Sequence, residues 1–152
     1  MKPNSTVKEQ SLNPHSAGRA ETENSSAGEL DDRILAALQA STDKKAVDPV
    51  ILDLREIASF TDYFLIVSGT NERQVQAIAD EVYDSLKKTG SAAARVEGHK
   101  TAEWILLDYG DFVVHVFEQK ARRFYDLERL WRESKRVELP AQFTQGSLRT
   151  ES

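Results

Sequence analysis

The sequence predicts a single α/β domain in which helices pack against a mixed sheet of about five strands. First, short runs of β-branched and aromatic residues alternate with amphipathic helical patterns, in the order α-β-β-α-β-β-β-α. Second, the stretch Glu97–Trp131 contains two apolar strand patterns and a turn, followed at once by a helical pattern. Third, a length of 152 residues provides for one domain with tails.

The first half of the domain is predicted as helix, strand, strand and helix. Pro49 precedes the first strand, where its missing N–H costs little. Asn71, followed by Gln74, resembles a capping box that opens the second helix, and Gly90 provides a left-handed residue to end it. The predicted elements are a helix from Glu29 to about Asp43, strands over Val50–Leu54 and Tyr63–Val67, and a helix between Asn71 and Gly90.

The second half is predicted as three strands and a helix. Its two longer strands are apolar on both faces, which is typical of strands covered on both sides in the middle of a sheet. Gly110 lies between them and supplies the positive φ of a tight connection. The predicted elements are a weaker strand over Ala92–Val96, strands over Trp104–Tyr109 and Phe112–Glu118, and a helix over Gln119–Ser134. The predicted core of this half is Ile105, Leu107, Val114, Val116, Phe124, Leu127, Leu130 and Trp131.

The two ends of the chain are predicted to lie outside the domain. Residues 1–28 are rich in small and polar types and offer too little apolar surface to offset the entropy of ordering. We expect a disordered N-terminal tail over 1–28, the domain over 29–134 and a C-terminal tail over 135–152. The N-terminus lacks a signal-peptide core, and no apolar run approaches the roughly 20 residues of a membrane span. These features predict a cytoplasmic protein with no membrane segment.

The charge distribution favours a protein partner over a nucleic acid. The formal net charge is −5, and residues 1–28 contain equal numbers of acidic and basic side chains, so the excess acid lies in the rest of the chain. An acidic domain gains no broad affinity for phosphate backbones through counterion release, so we expect little direct binding to RNA. The sequence contains no cysteine, which excludes disulfides and thiolate metal sites.

Residue types used in catalysis occur, but their spacing favours structural roles. Ser68-Gly69 lies at a strand-to-helix junction that could hold an anion, yet it lacks the surrounding pattern of a phosphate-binding loop. Asp108 and Asp111 flank a turn, and His115 lies within an apolar strand. No nucleophile–base pair stands out. We therefore predict a binding protein with no catalytic site, no cofactor and no metal. A nucleotide- or metal-dependent enzyme remains the alternative.

A set of motifs resembles the ribosomal silencing factor (Iojap) family and covers about 30–134 in order. The matching motifs are Asp62-Tyr63-Phe64, Ser68-Gly69-Thr70, Ile78-Ala79-Asp80, Glu97-Gly98, Trp104–Asp111, Val114–Phe117 and Arg123–Trp131. The resemblance implies a non-enzymatic factor that binds a protein on the joining face of the large ribosomal subunit. Bound there, it would block the small subunit and repress translation when nutrients run short. It also implies a nucleotidyltransferase-like topology and frequent homodimers, although no paired Asp-x-Asp carboxylates follow Ser68-Gly69.

The expected docking surface combines aromatic rings with an arginine-bearing helix, a composition typical of interface hot spots. Composition alone does not decide whether Trp104 lies in the core or in an interface. A homodimeric adaptor, in which a second copy covers this surface, is a further alternative. The predicted protein-binding residues are Glu97, Lys100, Trp104, Leu106, Asp108, Tyr109, Arg122, Arg123 and Tyr125.

Overall fold

The computed structural model describes residues 30–143, so the predicted tail over 1–28 lies outside the described residues. The strands are β1 (Val47–Asp53), β2 (Tyr63–Gly69), β3 (Arg95–Glu97), β4 (Trp104–Asp108), β5 (Phe112–Glu118) and β6 (Lys135–Arg136). The helices are α1 (Asp32–Asp43), α2 (Glu72–Lys88), α3 (Gln119–Tyr125) and α4 (Leu127–Leu130). Among these residues no helix is long and apolar enough to cross a membrane.

A mixed sheet forms the centre of the fold, with its strands in the order β3-β4-β5-β2-β1-β6. β2 and β5 pair in parallel at its middle, and the remaining pairs are antiparallel. Every residue of β2 is buried, as is β5 up to its last residue, so the prediction that β5 is covered on both sides in the middle of the sheet is confirmed. The same prediction is wrong for β4, which lies inside the sheet but is buried only at Ile105 and Leu107. The sheet has six strands. The additional strand is β6, whose two residues are too few to produce a sequence pattern.

One face of the sheet is covered by α1 and α2, and the larger part of the core lies there. The prediction of α2 is confirmed, because the Asn71 side chain accepts a hydrogen bond from the Gln74 N–H at 2.8 Å and Gly90 follows the helix with a φ of 96°. Five residues of the apolar stripe of α2 are buried, and Tyr83 beside them is half-buried; the five are Val75, Ile78, Ala79, Val82 and Leu86. This face is therefore closed.

The opposite face carries the short helices α3 and α4 over a smaller apolar cluster, to which Leu54, Ala58 and Trp131 also contribute. The predicted single helix over Gln119–Ser134 is wrong, since Asp126 takes a left-handed conformation (φ 50°) and separates the two helices. A left-handed residue shifts the phase of the apolar stripe, so the predicted core residues Phe124 and Leu130 are instead 79% and 68% exposed. Leu127 is buried, as predicted.

The chain packs on the sheet beyond Ser134. Lys135 and Arg136 pair with β1, and the Val137 N–H donates to the Ile51 carbonyl at 2.9 Å. Val137 and Phe143 are both buried in the larger core. The segment predicted as a C-terminal tail therefore contacts the domain as far as Phe143.

Candidate protein-docking surface

The side chains of β4 alternate between the two faces of the sheet. Ile105 and Leu107 are buried beneath the helices α1 and α2, whereas Trp104, Leu106 and Asp108 are half-buried on the opposite face. Because α3 and α4 are short, they leave these three side chains partly open to solvent. This strip contains three of the predicted protein-binding residues.

Trp104 is both packed and partly exposed. Its ring stacks on Phe117 with a centroid distance of 4.9 Å and contacts Tyr125 at the same distance. Its indole N–H donates to Nδ1 of His115 at 3.1 Å. A ring held in this way offers apolar area to a partner at little cost in side-chain entropy.

His115 is a buried, neutral sheet residue. It is 3% exposed, and burial lowers its pKa from 6.5 to about 3. Since Nδ1 accepts the Trp104 hydrogen bond, the proton of the neutral ring lies on Nε2, which has no hydrogen-bond partner among the described residues. A ring that stays uncharged near pH 7 and is hidden from solvent is poorly suited to acid–base chemistry.

Glu97 and Lys100 lie in the segment that leads into β4, and both are exposed. Gly98 between them has a φ of +85°, and a Cβ there would overlap the carbonyl oxygen of Trp104, so only glycine allows this close approach. His99 bonds Asp80 on α2 at 2.8 Å, which anchors the segment. The pairing of Glu97 with Leu106 places Glu97 beside the Trp104 strip, whereas Lys100 lies in the exposed turn that His99 ties to α2.

Charges at the edge of the strip are joined by Arg95. Its guanidinium lies 3.1 Å from Glu97 and 3.5 Å from Asp108. Asp108 also accepts the Gly110 N–H at 2.9 Å, which is the turn role that the sequence predicts. Glu97 and Asp108 thus lie together on the margin of the surface.

The two predicted arginines have different environments. The Arg122 side chain is only 11% exposed and donates to Ser68 Oγ at 2.8 Å and to Glu128 at 2.7 Å. Arg123 is exposed, as is its neighbour Tyr125. Arg122 therefore ties α3 and α4 to the sheet, and Arg123 is the exposed arginine of the two.

Tyr109 does not lie on this surface. It continues the alternation of Ile105 and Leu107, is 8% exposed and stacks on Phe112 at 4.9 Å in the larger core beneath α1 and α2. Burial raises the pKa of its hydroxyl to about 12. The spacing of two residues from Leu107 was a signal in the sequence that could have placed it in the core.

Exposed rings that the sequence reasoning missed extend the surface. Phe60 is 59% exposed and contacts Phe64 and Trp131, and Phe124 contacts Tyr125 at 5.0 Å. Ring contacts run without a break across this face, and we call these residues the aromatic row. The aromatic row consists of Phe124, Tyr125, Trp104, His115, Phe64, Trp131 and Phe60.

A cavity of about 750 Å³ lies at the carboxyl end of β2, between the sheet and α3. Its lining includes Ser68, whose hydroxyl already binds Arg122. Three arginines and three carboxylates line the cavity, so their formal charges cancel. Balanced formal charges give an anionic phosphate little long-range attraction to this cavity. The described residues also contain no cluster of three or more side chains suited to a metal ion.

Comparison with known proteins shows the family to which this chain belongs. A crystal structure of a Bacillus halodurans protein has the same fold, with a TM-score of 0.64, 42% identity, and coverage of 71% of this chain and 98% of that one. The family model described as "Ribosomal silencing factor during starvation" matches residues 27–152. The chain therefore belongs to the ribosomal silencing factor family.

Curated relatives agree with this assignment. "Ribosomal silencing factor RsfS" of Halalkalibacterium halodurans is 45% identical over 103 residues, which cover 68% of this chain and 88% of the relative. "Mitochondrial assembly of ribosomal large subunit protein 1" of Mus musculus is 31% identical over 91 residues, which cover 58% of this chain and 40% of the relative.

Proposed function

We propose that this protein binds a protein on the joining face of the large subunit of cytoplasmic ribosomes. Occupying that face would sterically exclude the small subunit and repress translation during nutrient limitation. The proposal is of a binding protein and not of an enzyme, because exclusion requires only occupancy. The bound factor must then compete with the affinity of the small subunit for the same face.

The observation that carries the proposal is the partial exposure of Trp104 together with its fixed orientation. The residue is half-buried, its N–H is already bonded, and its ring packs on Phe117 and Tyr125, so its open part is a constrained apolar surface. Rigid aromatic anchors of this kind dominate the energy of protein interfaces. The family description, which names ribosome silencing, and the large subunit named in the mouse relative's title supply the class of partner.

The exposed charges of the segments next to β4 and on α3 support a protein partner. Glu97 provides an anion at the margin of the strip, and Lys100 and Arg123 provide exposed cations. Mixed charges around an apolar centre match the rim of a protein–protein interface. An RNA-binding surface would instead concentrate cations, which conflicts with the net charge of −5.

Cosedimentation with purified large subunits tests the proposal. We expect Trp104→Ala to weaken binding by about tenfold or more, since loss of one interface anchor costs at least about 1.4 kcal/mol. The matched control is Tyr83→Ala, which truncates a half-buried ring on α2 at the closed face. Equal binding of wild type and Trp104→Ala would refute the assigned surface.

A homodimer remains a second candidate, because Phe124 is 79% exposed at one end of the aromatic row. If a second copy covers the row, dimer formation and subunit binding compete for the same residues. Light scattering over a range of concentrations measures the dimer, and Phe124→Ala should then weaken dimerisation. A dimer unaffected by Phe124→Ala and by Trp104→Ala would exclude this arrangement.

A further inference from the structure

Trp104 and His115 are diagonal neighbours on the face of the sheet that carries α3 and α4, which we call the open face. The register of β4 and β5 pairs Trp104 with Phe117 and Leu106 with His115, so the two rings lie one step apart on the same face. Diagonal positions on antiparallel strands are within reach of aromatic side chains. The result is the hydrogen bond of 3.1 Å from the indole N–H to Nδ1 of His115.

The ring contacts of Trp104 do not by themselves decide which edge of the indole faces outward. A rotation of the indole by about 180° about χ2 exchanges its two edges but keeps the plane of the ring. The stacking on Phe117 and the contact with Tyr125 would therefore be retained. A hydrogen bond has a direction, so the buried acceptor on His115 distinguishes the two orientations. With the N–H turned toward His115, the open edge of the indole is hydrocarbon.

We propose that His115 is a positioning residue for docking, and that it fixes the indole of Trp104 with its apolar edge toward the partner. This inference rests on the proposed function, since it concerns the same surface. The ring must be neutral for this role, because an imidazolium would present an N–H at Nδ1 to the indole N–H. The low pKa of about 3, caused by burial, keeps the ring neutral throughout the physiological range.

Three variants separate this role from packing. His115→Phe keeps a planar ring but removes the acceptor, His115→Asn offers an amide oxygen near the position of Nδ1, and Trp104→Phe removes the donor. We expect His115→Phe to weaken large-subunit binding about tenfold, the factor that corresponds to one buried donor left without a partner. His115→Asn should restore most of this loss. In the Trp104→Phe background, His115→Phe should cause no further loss.

The orientation is also measurable without ribosomes. The indole ¹⁵N–¹H signal of Trp104, assigned by its disappearance in Trp104→Phe, should shift and exchange faster with water in His115→Phe. The signal of Trp131 should stay in place, because no hydrogen bond links that indole to His115 among the contacts of the described residues.

The outcomes are distinct. Equal losses of binding from His115→Phe in the wild-type and Trp104→Phe backgrounds, or an unchanged Trp104 indole signal in His115→Phe, would overturn the positioning role. Wild-type binding by Trp104→Ala would instead refute the docking surface itself, and the positioning role in docking would fall with it. In that case the indole signal would still report whether His115 orients the ring.

Discussion

Arg122 and Glu128 form an ion pair with a distance of 2.7 Å across the break between α3 and α4. The side chains are 11% and 22% exposed, so both charges are largely withdrawn from water. The same guanidinium donates to Ser68 on β2, which fixes both short helices over the open face. The ion pair thus holds the helix that bears Arg123 and Tyr125.

Replacement of Arg122 should therefore destabilise the fold. Arg122→Ala leaves the Glu128 carboxylate partly buried without its partner, and we expect the free energy of unfolding to fall by about 2 kcal/mol. Urea denaturation measures this loss. The matched control is Arg123→Ala, which should change stability by about 0.5 kcal/mol or less but weaken large-subunit binding. Equal stability of the two variants would contradict the structural role of Arg122.

Stability should depend on pH through His115. The ordinary pKa is 6.5, and burial lowers it in the folded state to about 3. Between these values the unfolded chain binds a proton that the folded chain does not, so the stabilisation is complete above the unfolded pKa and is lost as the pH falls. The loss is about 1 kcal/mol per pH unit below that pKa.

Urea denaturation of wild type and His115→Phe, at about pH 7 and about pH 5.5, isolates this effect. Wild type should lose about 1 kcal/mol more than the variant between the two conditions. The rings nearest His115 are those of Phe64 and Trp104, which do not titrate in this range. Parallel losses in both proteins would show that His115 does not titrate on unfolding.

Gly98 should be irreplaceable, because two separate constraints act on it. Gly98→Ala meets both a positive φ and an overlap with the Trp104 carbonyl, and we expect it to cost more than about 2 kcal/mol. Gly90→Ala is the control, since its φ is +96° but its Cβ would meet nothing within 4 Å, and it should cost about 1 kcal/mol. Thermal denaturation of both variants compares the two losses of stability. Similar costs would mean that the Gly98 segment can move away from β4.

The break at Asp126 predicts different roles for two leucines that a continuous helix would place on one face. Leu127 is buried and Leu130 is 68% exposed. Leu127→Ala should lower the free energy of unfolding by about 2 kcal/mol or more, and Leu130→Ala by about 0.5 kcal/mol or less. Chemical denaturation of the two variants decides between a broken and a continuous helix. Matching losses would favour the continuous one.

Elements with strong local signals could be predicted from the sequence. The capping residue and the regular stripe of α2 are local features, and the helix forms where they predict it. The apolar strands β2 and β5 are likewise evident from composition, and burial on both faces follows from their central position. The start of a strand at Trp104 was also predicted, but that strand was expected to be covered on both sides, and Trp104, Leu106 and Asp108 are only half-buried.

Features that depend on tertiary contacts could not be predicted. The left-handed conformation of Asp126 is stabilised by packing of the following Leu127 and by the Arg122–Glu128 pair, neither of which is visible as a local pattern. The aromatic row depends on the register of β4 against β5 and on the approach of Phe60 to Trp131. Phe60 and Trp131 lie far apart in the sequence, and a helical or strand period carries no information about a contact of this kind.

Subunit joining tests the central claim most directly. Large subunits are incubated with wild type, Trp104→Ala or Tyr83→Ala, small subunits are added, and joined ribosomes are measured by light scattering and sucrose gradients. The proposed function predicts that wild type and Tyr83→Ala reduce joining, while Trp104→Ala requires about tenfold more protein for the same reduction. Joining that is unaffected by wild type, or reduced equally by Trp104→Ala, would contradict docking through the Trp104 surface.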